Sequence, residues 1–433
     1  MGLRDFVVLM FTLACIGFAL RKAWWGVLAL AVFSYLNPHA YAWGPVRTLP
    51  LYQILFIVVA IKTLMETDRQ SIPKDWRITV FLILWFYFFL TTTQALVPTE
   101  AWNKFWFVTK VYLPFIFTLI LINTREKLYY LIVTIASSIG IVAVKGGIFA
   151  ITHGFSARIY GPPATQFEEN NAFAVAVLIN IPLLVLWYRE TTNPWIKRGI
   201  LVAIPLHYVC AVASWSRGAM IAMAAMTFVL IWNSRRKWMI VPLFIVGAYF
   251  TVQALPEDWF HRMSTIETYE TDKSAQGRLE VWRDGWNYAL EHPFLGSGFE
   301  GWIWVTQRDW HSSYIEILAE HGFIAFGLWF SLLFGTLVSL TRLPKKVKGV
   351  PELKWVENYS YMLRASLIAY ATGTAFLGLS YWDLLYHLVF LAVLTKQFAL
   401  KELREYQQRK VVAQVVPSTW DMDRAPGAVN PAR

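Results

Sequence analysis

Long runs of apolar residues, separated by short polar connections, make up most of the chain. A helix needs roughly 20 apolar residues to cross a bilayer, and in lipid a helix satisfies its backbone hydrogen-bonding groups internally. The runs therefore predict an all-α bundle of 12 transmembrane helices, or 13 because several early runs are short. They lie at residues 6–20, 23–36, 50–64, 77–97, 105–122, 128–150, 171–188, 199–213, 217–232, 238–255, 313–340, 360–380 and 384–400.

The polar connections divide the chain into four parts. Residues 1–255 hold the N-terminal transmembrane helices, 256–312 form one long loop, 313–401 hold the C-terminal helices, and 402–433 form a tail. A connection as long as 256–312 is unusual in a compact bundle and is typical of a functional loop.

The loop contains an amphipathic segment, "GRLEVWRDGWNYALEHPFLGSG". At helical spacing, one face collects the apolar side chains of Leu279, Trp282, Trp286, Ala289 and Leu290. This pattern predicts a helix that lies on the membrane interface with its aromatic face toward the lipid. The simpler interpretation is a helix that only caps the bundle.

Composition supports a polytopic membrane protein, because 57% of the residues are hydrophobic and only 15% are charged. The net charge of +11 comes from basic clusters in every second loop, as expected of cytoplasmic segments. Nucleic-acid binding is therefore a poor explanation of the charge. The other loops are predicted to face outward, and they lie at residues 37–49, 98–103, 145–170, 214–217, 256–312 and 381–383. Cys15 and Cys210 both lie inside apolar runs, so a disulfide framework is not expected.

Three cations lie on the predicted outer side, where topology signals do not explain them: Lys145 in "KGGIF", Arg158 in "SARIYGPP" and Arg217 in "SWSRGAM". An arginine at the edge of a membrane segment needs a partner or water. The planar fork of arginine suits phosphate, and helix N-termini supply further donors. Arg217 and Arg158 are thus candidate phosphate ligands, whereas Lys145 could also extend its ammonium group to the interface.

His311 stands at the mouth of the 313–340 helix, in "RDWHSSYIEILAEHGFIAFG". A lone interfacial histidine is more often structural, but an outer cavity that also holds two arginines offers an anion site and a candidate general base. Nearby arginines would disfavour the imidazolium form and keep the ring able to accept a proton. No His, Asp and Glu cluster has metal-ligand spacing, so neither a metal nor another cofactor is expected.

Several stretches together resemble the O-antigen ligase and polymerase superfamily: "SWSRGA", "GRLEVWRDGWNYALEHPFLGSGFEGW" and "HSSYIEILAEHGFIAFG". The N-terminal half is similar to the branch of exosortase-associated O-glycosylation ligases, through "YLNPHAYAWG", "LINTREKL", "VKGGIF", "RIYGPP" and "ENNAFAVAV". The resemblance covers nearly residues 1–400. The segment between "GSGFEGW" and "HSSY" is short, so acceptor contacts of the loop do not carry over.

The resemblance implies an outward-facing catalytic histidine, matching His311, and essential arginines, matching Arg217 and Arg158. Lys145 is a further candidate pyrophosphate ligand, and Arg278 and Tyr314 are supporting candidates. It also implies an enzyme of the bacterial inner membrane with its active site facing the periplasm. This enzyme would transfer a glycan from undecaprenyl pyrophosphate to the lipid A–core oligosaccharide by metal-independent, inverting chemistry.

Other functions remain open. The same scaffold could polymerise repeat units or act as a protein O-oligosaccharyltransferase. A lipid or solute transporter is a different class, and transporters tend to show internal repeats, broken helices and buried coupling carboxylates. The sequence shows no repeat, and Asp383 is placed in an outer turn, so coupling acids are expected to be scarce.

Overall fold

The computed structural model describes residues 2–234, 236–264 and 273–415. Within these residues the secondary structure is entirely helical, which confirms the predicted all-α class. The helices are α1 Leu3–Arg21, α2 Ala23–Tyr35, α3 Leu51–Met65, α4 Trp76–Thr93, α5 Pro98–Leu121, α6 Arg125–Thr152, α7 Asn170–Glu190, α8 Pro194–Val212, α9 Arg217–Trp232, α10 Lys237–Gln253, α11 Glu257–Ser264, α12 Lys273–Glu291, α13 Gly301–Thr306, α14 Ser313–Lys346, α15 Trp355–Gly373 and α16 Asp383–Val415.

Every predicted apolar run is a helix in the described part of the chain, and these helices are α1–α10 and α14–α16. Eight of the described helices are long and apolar enough to cross a membrane, and α10 with α11, bent by 109°, could add a ninth. Three further apolar helices, α2, α3 and α9, are shorter. The chain is thus a multi-pass membrane protein, while the count of 12 or 13 spans stays a prediction.

The basic clusters meet at one end of the bundle. Lys396 Nζ lies 2.8 Å from Asp75 Oδ2, and Arg125 Nη2 lies 2.9 Å from Glu190 Oε2. Burial alone would raise the pKa of Asp75, but hydrogen bonds and charges from Arg77 and Lys396 hold it well below its usual value. We call this the basic end, and the opposite end, where α11–α13 lie, the loop end.

The bundle has a buried centre and a lipid-exposed periphery. In an apolar stretch of 18 residues, 78% of the residues are buried in α7 and 83% in α16. The buried share of the corresponding stretch is only 22% in both α1 and α8. Among its described residues, α10 buries none at all. Apolar side chains that remain exposed on such peripheral helices are expected where the solvent is lipid.

Three positions differ from the predicted loops. Helix α6 continues to Thr152, two residues past the predicted run 128–150, so the loop expected from residue 145 begins only after it. Residues 98–103, predicted as a loop, form the first turn of α5, which starts at a proline that suits this position. Asp383 begins α16 and is buried, so it does not lie in an exposed outer turn. Residues 402–415 of the predicted tail belong to α16, and the rest lies outside the described residues.

Helix α14 is broken at Gly322, whose backbone has φ 75° and ψ −177°. The break frees two carbonyl oxygens from the helical pattern. Those of Ala319 and Glu320 instead accept hydrogen bonds from the amides of Ser297 at 3.0 Å and Gly298 at 2.8 Å. On the other side, the amide of Phe323 donates to the carbonyl oxygen of Pro293 at 2.8 Å. The long loop is therefore docked on α14 by backbone hydrogen bonds.

We expect Gly322→Ala to destabilise the protein by about 1–3 kcal/mol, because the new methyl group would meet the carbonyl oxygens of Pro293 and Phe294 at a positive φ. Thermal unfolding of the purified protein in detergent measures the effect. Gly327→Ala is the matched control in the same helix, since nothing lies within 4 Å of a Cβ there. Equal melting temperatures for the two variants would contradict this account of the break.

Candidate active site

His311 lies two residues before α14 and outside the helix. Its backbone is in the left-handed region, with φ 47°, and its side chain is 45% exposed. Nδ1 lies 3.3 Å from Asp309 Oδ2, and the His311 amide donates to Asp309 Oδ1 at 3.3 Å. A carboxylate beside Nδ1 favours a proton on that nitrogen and leaves Nε2 able to accept one. Asp309 is a partner that the sequence reasoning missed.

The residue before the histidine anchors this segment. Trp310 is fully buried and stacks on Trp302, with ring centroids 5.2 Å apart. The Trp310 carbonyl oxygen accepts a hydrogen bond from Trp282 Nε1 at 2.9 Å. Gly285 of α12 leaves room for the Trp310 ring, because a Cβ there would lie 2.7 Å from it. His311 is thus exposed on a backbone that its neighbour fixes.

Helix α12 carries two apolar stripes, where the sequence predicted one. Val281, Gly285 and Ala289 are buried and pack toward Trp310 and α14. Leu279 and Trp286 are 52% and 48% exposed, as is expected of an interfacial face. The predicted stripe was therefore partly wrong, because the packing face uses small residues that give a weak hydrophobic signal.

Arg217 is the first residue of α9 and is half-buried. Ser216 caps the helix, and its side chain accepts a hydrogen bond from the Ala219 amide. Asn170 Nδ2 donates to the Ser214 carbonyl oxygen at 2.7 Å and so holds the turn that precedes α9. The first backbone amides of α9 and the guanidinium group of Arg217 therefore belong to the same short segment of the chain.

A chain of contacts links this turn to His311. A Cβ at Gly218 would lie 3.1 Å from Phe376 Cβ. The Phe376 ring lies 6.0 Å from the ring of Trp282, which holds the Trp310 carbonyl. The start of α9, the turn after α15, helix α12 and the histidine thus form one contiguous region at the loop end.

Two more arginines converge on the turn at Trp215. Arg158 Cζ lies 5.7 Å from the centroid of the Trp215 ring. Arg262 Nε donates to the Trp215 carbonyl oxygen at 3.0 Å. Arg158 and Arg262 therefore both contact Trp215, which lies two residues before Arg217. Little in the sequence singles out Arg262, because it lies in a short polar helix within the long loop.

The other predicted residues lie apart from this turn. Lys145 is exposed on α6, on the same stripe as the exposed Ile141 and Ile148, which favours a lipid-facing ammonium that extends to the interface. Arg278 is half-buried on α12, one helical turn before Trp282. Tyr314 donates its hydroxyl to the Ala371 carbonyl oxygen at 2.9 Å and thereby ties α14 to α15.

A buried polar network surrounds Glu320 of α14. Glu320 Oε1 accepts from the Glu300 amide at 3.0 Å, and Oε2 accepts from the Tyr381 hydroxyl at 2.5 Å. The same hydroxyl lies 2.9 Å from His321 Nε2, whose Nδ1 lies 2.7 Å from Thr91 Oγ1. Burial and the nearby Glu320 raise the pKa of Tyr381 well above its usual value, so the phenol stays a donor.

A second acid, Glu316, accepts from both the amide and the hydroxyl of Ser380. The sequence analysis did not select Glu316 or Glu320, and it expected coupling acids to be scarce. The available signal was their presence in an otherwise apolar run, because ionisable residues in membrane helices are rare unless they are used. Among the described residues, no three His, Cys, Asp or Glu side chains could share a metal ion.

This arrangement can do acid–base chemistry beside bound anionic groups. The half-exposed imidazole has a carboxylate at one nitrogen and can take a proton at the other. Guanidinium groups at a helix N-terminus can hold phosphate oxygens.

Comparison with known families agrees with this description. A model of a family described as O-Antigen ligase matches residues 199–330, a range that contains Arg217, Arg262, α12 and His311. A model of a family of unknown function (DUF5935) matches residues 3–193, which contain Lys145 and Arg158. No curated protein matches the chain. Residues 199–330 are thus an O-antigen ligase family domain, which places this part of the chain in the O-antigen ligase and polymerase superfamily.

Proposed function

We propose that this protein is an O-antigen ligase of the bacterial inner membrane. It transfers a glycan from undecaprenyl pyrophosphate to the lipid A–core oligosaccharide at the periplasmic face. The observation that carries the proposal is the pairing of His311 with Asp309, next to an arginine-bearing turn, within the O-antigen ligase domain. The resemblance to exosortase-associated ligases in the N-terminal half belongs to the same proposal.

In the proposed reaction His311 is the general base. Asp309 holds a proton on Nδ1, and Nε2 takes the proton of an acceptor hydroxyl as its oxygen attacks the anomeric carbon. The bond from that carbon to the pyrophosphate oxygen breaks, and its electron pair leaves with the lipid pyrophosphate. Attack opposite the leaving group inverts the anomeric centre.

Arg217 and Arg158 bind the pyrophosphate and stabilise the charge that develops on it. Pyrophosphate is a good leaving group, so the reaction needs neither a metal nor a proton donor on that side. Lys145 has a weaker claim, because it lies on the stripe with Ile141 and Ile148. Arg278 supports the site from α12, and Tyr314 supports it by fixing the start of α14.

The same residues would serve an O-antigen polymerase or a protein O-oligosaccharyltransferase, in which only the acceptor differs. The decisive experiment incubates purified protein with lipid-linked glycan and core lipopolysaccharide in EDTA. A joined product supports the ligase, whereas longer lipid-linked glycan without transfer to the core supports the polymerase.

Labelling of introduced cysteines tests whether the proposed site faces the periplasm. Gln307 is exposed on the long loop, and Lys348 is exposed at the basic end. In a background with Cys15 and Cys210 replaced by Ser, Gln307→Cys should react with a membrane-impermeant thiol reagent once the outer membrane is permeabilised. Lys348→Cys is the matched control and should react only after the inner membrane is lysed. The reverse pattern would exclude the proposed mechanism.

Loss of the base should nearly abolish transfer. General-base help is worth on the order of 10²–10⁴ in rate, so we expect His311→Ala to lose about that factor in kcat while donor binding persists. His311→Gln should be equally inactive, because an amide cannot take up the proton. The measurement is steady-state transfer by purified variants.

The control is His153→Gln, an exposed histidine at the same end of the bundle, which should keep full activity. Asp309→Asn should lower kcat less than His311→Ala, since it removes only the orienting charge. Substantial activity of His311→Gln would show that the histidine orients the acceptor and is not the base.

Substitution of Arg217 or Arg158 should weaken the use of the lipid-linked glycan donor. Arg217→Lys keeps the charge but loses the planar fork, so we expect a higher KM for the lipid-linked donor and a lower kcat. Arg158→Ala should be impaired in the same direction. Arg47→Lys, an exposed arginine in a loop of the same end, is the control. Normal kinetics for both Arg217→Ala and Arg158→Ala would remove the pyrophosphate role.

A further inference from the structure

A second polar site is enclosed between helices, and neither His311 nor an arginine is among the described residues that line it. It is a cavity between α2, α3, α5 and α16, with room for about one water-sized group. Its polar lining consists of Ser34, Tyr52, Thr118, Asp383 and His387. Asp383 is thirteen residues from Lys396, which pairs with Asp75, and so lies roughly 20 Å along α16 from the basic end.

Asp383 lacks a full set of partners among the described residues. It is 3% exposed, and Ser34 donates its hydroxyl to Oδ2, but Oδ1 has no hydrogen-bond partner. No lysine or arginine is among the described residues that line the cavity. The imidazole Nδ1 of His387 is taken by the Tyr35 hydroxyl at 2.6 Å. A buried carboxylate without a cation or full hydrogen bonding is strongly unfavourable.

Protonation alone would not satisfy this carboxyl group. A proton on Oδ2 could be shared with the Ser34 hydroxyl, but Oδ1 would still have no hydrogen-bond partner among the described residues. A bound cation removes the difficulty, because it neutralises the charge and takes the lone pairs of Oδ1 directly. The hydroxyls of Ser34 and Tyr52 add oxygen donors of the kind that hard cations prefer.

We propose that Asp383, Ser34 and Tyr52 bind a single Na⁺ ion between α2, α3 and α16. A carboxylate ligand attracts the smaller Na⁺ more strongly than K⁺, because the two charges approach more closely. The ion joins α2 to the start of α16 and so stabilises the packing of the first helices on the last. The site is independent of the proposed glycan transfer.

The test is thermal unfolding of the full-length protein in detergent, in NaCl, KCl or choline chloride at one ionic strength, which removes differences in screening. We expect a saturable rise of Tm with Na⁺ that K⁺ and choline do not give, since a ligand of the folded state stabilises it. Asp383→Asn should abolish the Na⁺ response, and Ser34→Ala should raise the Na⁺ concentration at half-saturation several-fold.

The control is Glu316→Gln, which alters a buried carboxyl group that Ser380 already satisfies and should leave the Na⁺ response intact. The Tm of the wild type in the three salts tests the proposal even where Asp383→Asn fails to fold. Equal Tm of the wild type in all three salts would overturn the proposal. A response to pH that depends on Asp383, without a response to Na⁺, would also overturn it and leave a proton or a structural water in the cavity.

Discussion

The break in α14 is the constraint on which the loop end depends. Within a bilayer, a carbonyl that loses its helical partner must find another donor in the protein. At Gly322 two carbonyls lose their partners, and the amides of Ser297 and Gly298 replace them. The helix cannot break there without these donors from the loop. Loop and helix therefore form one structural unit.

A layer of side chains reinforces this backbone junction. Glu320 accepts hydrogen bonds from the Glu300 amide and from Tyr381, and Lys104 of α5 lies 2.6 Å from Glu300 Oε1. A buried carboxylate left without such donors would be strongly destabilising, so the network is stable only when all of its members are in place. Trp302 and Trp310 stack just beyond it. The left-handed backbone of His311 is thus held by a rigid support rather than by local preference.

Much of the architecture could be predicted from the sequence, because lipid imposes long apolar helices and basic residues sort to one end. The position of α12 was also predictable, since Trp and Leu recur at helical spacing. Its packing face was not, because Gly285 and Ala289 give no hydrophobic signal. The break at Gly322 was not predictable either, since a single glycine in an apolar run is usually tolerated in a helix.

Residues of the candidate site were predictable to the extent that their chemistry is unusual for their location. Arg217 and His311 stand out at the mouths of apolar runs. Asp309 and Arg262 do not, because both lie in a polar loop where charged residues are ordinary. Their roles follow only from tertiary contacts, with the imidazole in one case and with the Trp215 carbonyl in the other. For the same reason, the sequence alone does not predict a role for Glu316 and Glu320, the buried acids of α14. Their role follows from the hydrogen-bond donors that contact them in the structure.

The N-terminal region is part of the site and not merely its anchor. The Ile159 amide donates to the Ala213 carbonyl oxygen at 3.2 Å, and Asn170 donates to that of Ser214. These bonds hold the turn that carries Trp215, on which Arg158 also rests. Arg158 and Arg262 reach this turn from separate segments, so a rigid turn brings residues that are distant in sequence close to Arg217. The turn belongs to the ligase domain, while two of its supports and one arginine come from the region of unknown function. In the proposed mechanism, donor binding would therefore draw on residues of both regions.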